Sequence, residues 1–234
     1  MNILFIGAHP DDLEFLCGGT IAKCVARRDR VTMAVATNGN VGSPTLSHEE
    51  IAVIRRKEAE AAADELGAAD FVWINEPDEF LFDNERTRRT FIDVIRRARA
   101  DLIVTHNPQD YHPDHINCSR LITDARIPSA VRLIETEHPP VPQSPELIYM
   151  DSVAGLNFQP QLFVDVTDFM TKKRTALARH RSQEAWLQAI CKQDLVRLME
   201  RQSSFRGLQA GVEYGEGFVR PSAWPVSSVA NLLP

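Results

Sequence analysis

The sequence predicts an α/β protein: a Rossmann-like, mostly parallel sheet with helices on both faces, in a single domain with an irregular C-terminal half. Three observations carry this expectation. Apolar runs of strand length alternate with helix-length segments through residues 1–126. Two of those runs, Ile3-Leu4-Phe5-Ile6 and Leu102-Ile103-Val104-Thr105, each lead into a His/Asp cluster, as a site built at one edge of a parallel sheet would require. The chain also has 234 residues, 44% hydrophobic and 25% charged, which is ordinary globular composition and enough for one large core.

Ile3 to Gly7 is continuous, apolar and bounded by Gly, the pattern of a buried strand. Cys17 to Arg28 reads as a helix opened by Gly18-Gly19-Thr20, and Val31 to Thr37 as a second strand. Asn38-Gly39 and Gly42-Ser43-Pro44 mark a loop. Ser47-His48-Glu49-Glu50 is a capping box, with a side-chain acceptor followed three residues on by Glu; it opens a helix that runs to Leu66 and stops at Gly67. Phe71 to Ile74 is a third strand, and a polar stretch from Asn75 to Asn84 leads to a helix ending near Arg99. Leu102 to Thr105 is a fourth strand, followed by a helix from Pro113 to Ala125. Crossovers between such strands are right-handed, and ligands bind at their carboxyl ends near a topological switch point. His9 and His112 both fall just past such an end.

The second half is less regular. Pro128, Pro139, Pro140, Pro142 and Pro145 define a loop-rich zone suited to a substrate wall. Glu146 to Asp151 and Leu162 to Val166 read as strands, and Asp168 to about Gln202 as one or two helices. The Gly- and Pro-rich tail after Ser203 has no strong period. The domain therefore divides into a strand–helix core, 1–126, carrying the His/Asp clusters, and a loop-rich and helical part, 127–234, that walls a pocket.

A formal charge of -6 with no basic face argues against nucleic acid as a partner. Arg55-Arg56-Lys57 and Arg96-Arg97 sit beside acidic residues in helical segments, as solvated helix faces do. Cys17, Cys24, Cys118 and Cys191 form no Cys-x-x-Cys pair and read as buried free thiols. The apolar N-terminus is short and has no basic lead-in, so it reads as a strand and not as a secretory signal. No run approaches the roughly 18 apolar residues of a membrane span. Together these features predict a cytoplasmic protein.

The loop after the first strand offers His9, Asp11 and Asp12, and the loop after the fourth offers His112, Asp114 and His115. A hydrolytic metal site takes three ligands from His, Asp and Glu and leaves a position for water. It also needs a carboxylate base that is not a ligand and a donor for the oxyanion. These six residues can fill every part. His9 and Asp12 are three apart in a tight loop, and His112 and His115 are three apart where a helix opens, with Pro113 suited to its first turn.

Ala8-His9-Pro10-Asp11-Asp12, Gly18-Gly19-Thr20 and His112-Pro113-Asp114-His115 closely resemble the motifs of the LmbE-like/PIG-L family of zinc-dependent N-deacetylases. The resemblance extends through Arg55-x-x-Glu58-Ala59, Asp78, Gly155-Leu156-Asn157-Phe158, Val164-Asp165-Val166 and Lys173 to His180, Ser182 and Gln183, with a weaker match in Tyr214-Gly215-Glu216-Gly217-Phe218. It implies zinc ligands at His9, Asp12 and His115 and a general base at Asp11. It implies that His112 acts as acid or stabilises the oxyanion and that Asp114 orients His112. By the same resemblance Arg55, Asp78 and His180 bind substrate. The implied reaction removes an acetyl group from the amide nitrogen of an N-acetylated amino sugar or conjugate, through a zinc-bound water. Imidazole and carboxylate also accept Fe2+, the alternative metal in the cell. Several relatives assemble into oligomers, which extends the expectation to a homo-oligomer.

Other readings remain beside this one. The protein could be an amidase of a larger N-acyl or thiol conjugate, or a metal-binding homologue without turnover. The glycines at 18 and 19 do not form Gly-x-Gly-x-x-Gly, so a dinucleotide site has little support. Arg55, Asp78 and His180 can equally be read as an exposed helix residue, a solvated loop acid and a packing histidine. His106 reads as structural or as supporting a ligand, and His48 and His138 as surface residues. Nothing in the residues selects one conjugate over another; the loops at 38–47, 75–84 and 107–111 and the Pro-rich zone at 126–145 are where that choice is expected to lie.

Overall fold

The apolar runs form the strands expected of them, and five lie parallel. In this computed structural model, which describes residues 1–222, 224, 233 and 234, the chain begins with β1 (Asn2–Gly7), α1 (Asp12–Ala26), β2 (Arg30–Thr37), α2 (His48–Leu66) and β3 (Asp70–Glu76). It continues with α3 (Glu85–Ala98), β4 (Leu102–Thr105), α4 (Pro113–Arg126), β5 (Glu146–Met150) and β6 (Leu162–Asp165). Three helices, α5 (Met170–Leu177), α6 (Arg181–Cys191) and α7 (Leu195–Ala210), precede β7 (Gly215–Val219). The sheet order is β3-β2-β1-β4-β5-β7-β6. The first five strands in that order are parallel; β7 is antiparallel to both β5 and β6. The chain winds from β1 toward β3 on one side and continues from β4 on the other. The switch point therefore lies between β1 and β4, the two strands followed by His/Asp clusters.

Alternation along each strand builds two cores. Ile3, Phe5, Leu102, Val104, Ile148 and Met150 join apolar side chains of α1, α2, α5 and α7 on one face. Leu4, Ile6, Ile103 and Leu147 join α3 and α4 on the other.

The helix expected from Cys17 begins earlier, at Asp12, and is broken at Cys17 (φ -144°, ψ 18°). The amides freed by the break are capped from a distance: the Gly19 and Thr20 N–H groups donate to the Glu216 carboxylate at 2.8 and 2.7 Å. Lys173 Nζ donates to the same carboxylate at 2.6 Å and to Ser203 Oγ at 3.1 Å, all of it buried. A Cβ at position 19 would lie 2.6 Å from Val166 Cβ, so only glycine lets the chain just after β6 approach here. The capping box opens α2 as expected, with Ser47 Oγ accepting from Glu50 N–H and Glu50 Oε2 from Ser47 N–H.

Two expectations about the second half need correction. The helical region comprises three α-helices and reaches Ala210, and the tail forms β7, which inserts between β5 and β6. Residues 223 and 225–232 of that tail lie outside the described residues. The Pro-rich zone does not line the central cavity. Instead, the Arg96 guanidinium on α3 donates to the carbonyls of Ser129, Val131 and Ile134 at 2.9, 2.8 and 2.8 Å and pins the zone there. The cysteines are free, but Cys191 is exposed where burial was expected.

Candidate metal centre

β1 ends at Gly7, and the chain turns so tightly into α1 that Asp11 takes a left-handed conformation (φ 115°, ψ -24°), an uncommon state for a residue with a Cβ. The turn is locked by the His9 N–H donating to Asp12 Oδ2 at 2.6 Å. On the neighbouring strand, β4 runs into His106, and α4 opens at His112 with Pro113 in its first turn.

These two segments, remote in sequence, bring two imidazole nitrogens and one carboxylate together. His9 Nδ1 is 3.2 Å from His115 Nε2, His115 Nε2 is 3.3 Å from Asp12 Oδ1, and His9 Nδ1 is 3.5 Å from Asp12 Oδ2. A tetrahedral ion with bonds of ~2.0–2.1 Å separates its ligands by about 3.3 Å, so this imidazole–imidazole–carboxylate set fits a divalent cation. The same residues belong to overlapping clusters: His112 closes on His9 and His115, His106 on Asp12 and His115, and Asp78 and Asp114 on His9.

The surrounding groups fix the orientation of the inner ones. His9 Nε2 lies 3.1 Å from Asp78 Oδ1 and 3.2 Å from Asp114 Oδ2, which leaves Nδ1 facing the cluster. Asp110 Oδ2 lies 3.1 Å from His115 Nδ1, and its Oδ1 accepts the His112 N–H at 3.0 Å. His106 stacks on His115 (3.9 Å, 13°), accepts the Ala8 N–H at Nε2 and is 3.1 Å from Asp12 Oδ2. Burial, and then the nearby His115, push the His106 imidazole down to about 4. Burial also opposes protonation of His9 and His115, but the carboxylates outweigh it. His9 stands well above its ordinary value, and His115 is raised to about 9. A cation entering here must displace protons from these rings.

The remaining expected residues sort by position. Asp11 faces the cavity; burial pushes its carboxyl up to about 6, against the pull of Arg55, whose Nη2 is 3.9 Å away. Arg55 is buried and not an exposed helix residue. It donates to the Pro10 carbonyl at 2.8 Å and lies under Gly39 (φ +63°), where a Cβ would sit 2.5 Å from the Arg55 Cδ. His112 accepts the Asp114 N–H at Nδ1, and its Nε2 is 3.3 Å from Glu79 Oε1. The Asp114 carboxylate accepts the N–H groups of Glu79 and Leu81 and reaches His9. Asp114 thus meets His112 through its backbone, whereas a carboxylate contact was expected. Asp78 lines the cavity in addition to touching His9. His180 is buried against Glu14, with Nε2 3.3 Å from Glu14 Oε2, and is not among the cavity-lining residues. Substrate contact by His180 is not what this placement offers.

Glu14 and Asp110 were missed in the sequence. Asp110 had one available signal: a ligating imidazole needs an acceptor for its second nitrogen, and Asp110 is the carboxylate between His106 and His112. The groups open into a cavity of about 400 Å³ whose far wall comes from α6 and α7. No helix among the described residues is long and apolar enough to cross a membrane.

The family described as PIG-L, GlcNAc-PI de-N-acetylase, matches residues 4–126. The chain is 28% identical over 193 residues to a diacetylchitobiose deacetylase of Thermococcus kodakarensis, covering 78% of this chain and 70% of that protein. It is 26% identical over 241 residues to a 1D-myo-inositol 2-acetamido-2-deoxy-alpha-D-glucopyranoside deacetylase of Catenulispora acidiphila, covering 78% and 79%. Among solved structures, the N,N'-diacetylchitobiose deacetylase of Pyrococcus horikoshii superposes with a TM-score of 0.80 at 28% identity, over 93% of this chain and 82% of that one.

Proposed function

The chain belongs to the PIG-L family of GlcNAc-PI de-N-acetylases, and from that premise we propose that it is a metal-dependent N-deacetylase acting on an N-acetylated glucosamine or one of its conjugates. The observation that carries the reading is the meeting of His9 Nδ1, the Asp12 carboxylate and His115 Nε2 within 3.2–3.5 Å of one another, beside Asp11. The relatives' names span a disaccharide and an inositol conjugate, so an N-acetylated glucosamine is the element they share.

His9, Asp12 and His115 hold the metal, zinc or ferrous iron. When bound, the ion supplies Lewis-acid polarisation and a lowered pKa for water. The chain's own groups handle the protons. Asp11 takes a proton from the attacking water as its oxygen bonds to the amide carbonyl carbon. Because His112 Nδ1 is occupied by the Asp114 N–H, its Nε2–H is the group that donates to the developing oxyanion. The C–N bond breaks as the proton held on Asp11 passes to the amine nitrogen, and acetate departs. Asp114 positions both His112, through its N–H, and His9, through its carboxylate. Arg55 and Asp78, both on the cavity wall, hold substrate hydroxyls.

The test is to load metal-free protein with Zn2+ or Fe2+ and to measure bound metal and acetate release from a panel of N-acetylglucosamine conjugates. The expected result is stoichiometric metal and acetate release that a chelator abolishes. Metal bound without hydrolysis of any amide would leave a binding protein and sink this reading.

A further inference from the structure

The nitrogen that serves the oxyanion already faces an acceptor. Glu79 Oε1 lies 3.3 Å from His112 Nε2, and both residues line the central cavity. The other ring nitrogen accepts the Asp114 N–H at 3.2 Å, so the neutral imidazole carries its proton on Nε2 and presents it to the Glu79 carboxylate. In the deacetylation this position is taken first by the amide oxygen and last by an oxygen of acetate. A carboxylate of the chain itself therefore stands where the product's carboxylate stands.

The local backbone explains how it gets there. Glu79 is left-handed (φ +68°), an uncommon state for a residue with a Cβ. Its N–H donates to Asp114 Oδ2 at 2.8 Å and to Asp78 Oδ1 at 3.1 Å. Those are the same two oxygens that face His9 Nε2, so the groups that orient His9 also pin the Glu79 backbone. The side chain is not pinned: it is half exposed and its one ionic contact is His112. An exposed contact of this kind contributes little, so a ligand displaces it by rotating the side chain, with the backbone left in place. Building on the deacetylase reading, we propose that Glu79 is a displaceable stand-in for acetate. It yields His112 Nε2 to the incoming amide and reclaims that nitrogen as acetate leaves, which weakens the hold of the site on its product.

The experiment titrates 13C-labelled acetate, by NMR line width, against Zn2+-loaded parent, Glu79→Asp and Glu79→Ala, each checked for unchanged metal content and unfolding midpoint. Glu79→Asp keeps the charge but is one methylene short of His112; Glu79→Ala removes both charge and reach. Both variants are expected to bind acetate about three- to fivefold more tightly than the parent, and acetate should inhibit their turnover at correspondingly lower concentrations. Tightening in Glu79→Ala alone would trace the effect to negative charge at the cavity and overturn the inference. Unchanged or weaker binding in both variants, or no acetate binding to any of the three proteins, also overturns it. Failure of the parent to release acetate from any N-acetylglucosamine conjugate counts against the deacetylase reading alone, because the acetate titration does not depend on turnover.

Discussion

Asp11 combines a left-handed backbone with a buried carboxyl beside a guanidinium. A non-glycine residue held there costs about 1–3 kcal/mol, and such strain persists where the surroundings over-determine it. In the proposed reaction Asp11 moves protons and does not ligate. Asp11→Asn should therefore lower kcat by about 10²–10⁴ while elemental analysis finds the metal content unchanged. Activity within about tenfold of the parent would remove Asp11 as the base. Asp110 has a different role, since its carboxylate stands 3.1 Å behind His115 Nδ1. Asp110→Asn should weaken metal affinity about 10–100-fold, measured by competition with a chelator; unchanged affinity would show that His115 is oriented by something else. The six motif residues were legible because each cluster is contiguous in sequence and follows an apolar run. Glu14 and Asp110 were not, because a single carboxylate carries no spacing signal until the nitrogen it faces has been located in space.

Among the elements, α1 shows how a distant strand completes a helix. Its break at Cys17 leaves the Gly19 and Thr20 amides to Glu216 on β7, and Lys173 on α5 neutralises that carboxylate. Removing one partner of a buried pair strands the other charge. Glu216→Gln should destabilise by about 3–5 kcal/mol, read from the urea midpoint, and adding Lys173→Met should recover part of the loss. A double variant no more stable than the single one would mean that the amide caps dominate over the ion pair. Outside the candidate site, Asp93 on α3 accepts both the backbone N–H and the imidazole of His138. Burial would raise this carboxyl, but the two hydrogen bonds outweigh it and hold it below its ordinary value of 3.8. A depressed folded pKa stabilises above the unfolded value and loses that contribution as pH falls through the folded one. Stability lost by Asp93→Asn should thus shrink below about pH 4; a difference that stays the same from about pH 5 down to about pH 3 would contradict the assignment. The sequence showed α2 and α3 through caps and periodicity, but it hid β7. Two of the five residues of β7 are glycines, and its buried polar residue is Glu216, so neither propensity nor alternation marks it.

For the molecule as a whole, the parallel part of the sheet followed from strand–helix alternation, because each crossover is local and its handedness fixed. The insertion of β7 between β5 and β6 did not, since that pairing joins segments far apart in sequence and is chosen by packing. The same distinction governs the candidate metal centre. His9 and His115 are 106 positions apart and are adjacent only because β1 and β4 lie side by side at the switch point. An ion held by His9, Asp12 and His115 ties the β1–α1 turn to the start of α4, across the place where the winding reverses. Because the ligands converge only in the folded chain, metal binding is linked to folding. At a free Zn2+ concentration about a hundredfold over Kd the linkage adds about 2.7 kcal/mol. A chain of this size gains roughly 2–4 °C per kcal/mol, so Tm should rise by about 5–11 °C over chelator-treated protein. His115→Ala should abolish the rise, because it leaves the β1–α1 ligands without their partner from α4. A Zn2+-dependent shift of equal size in that variant would place the metal elsewhere and break the link between topology and site.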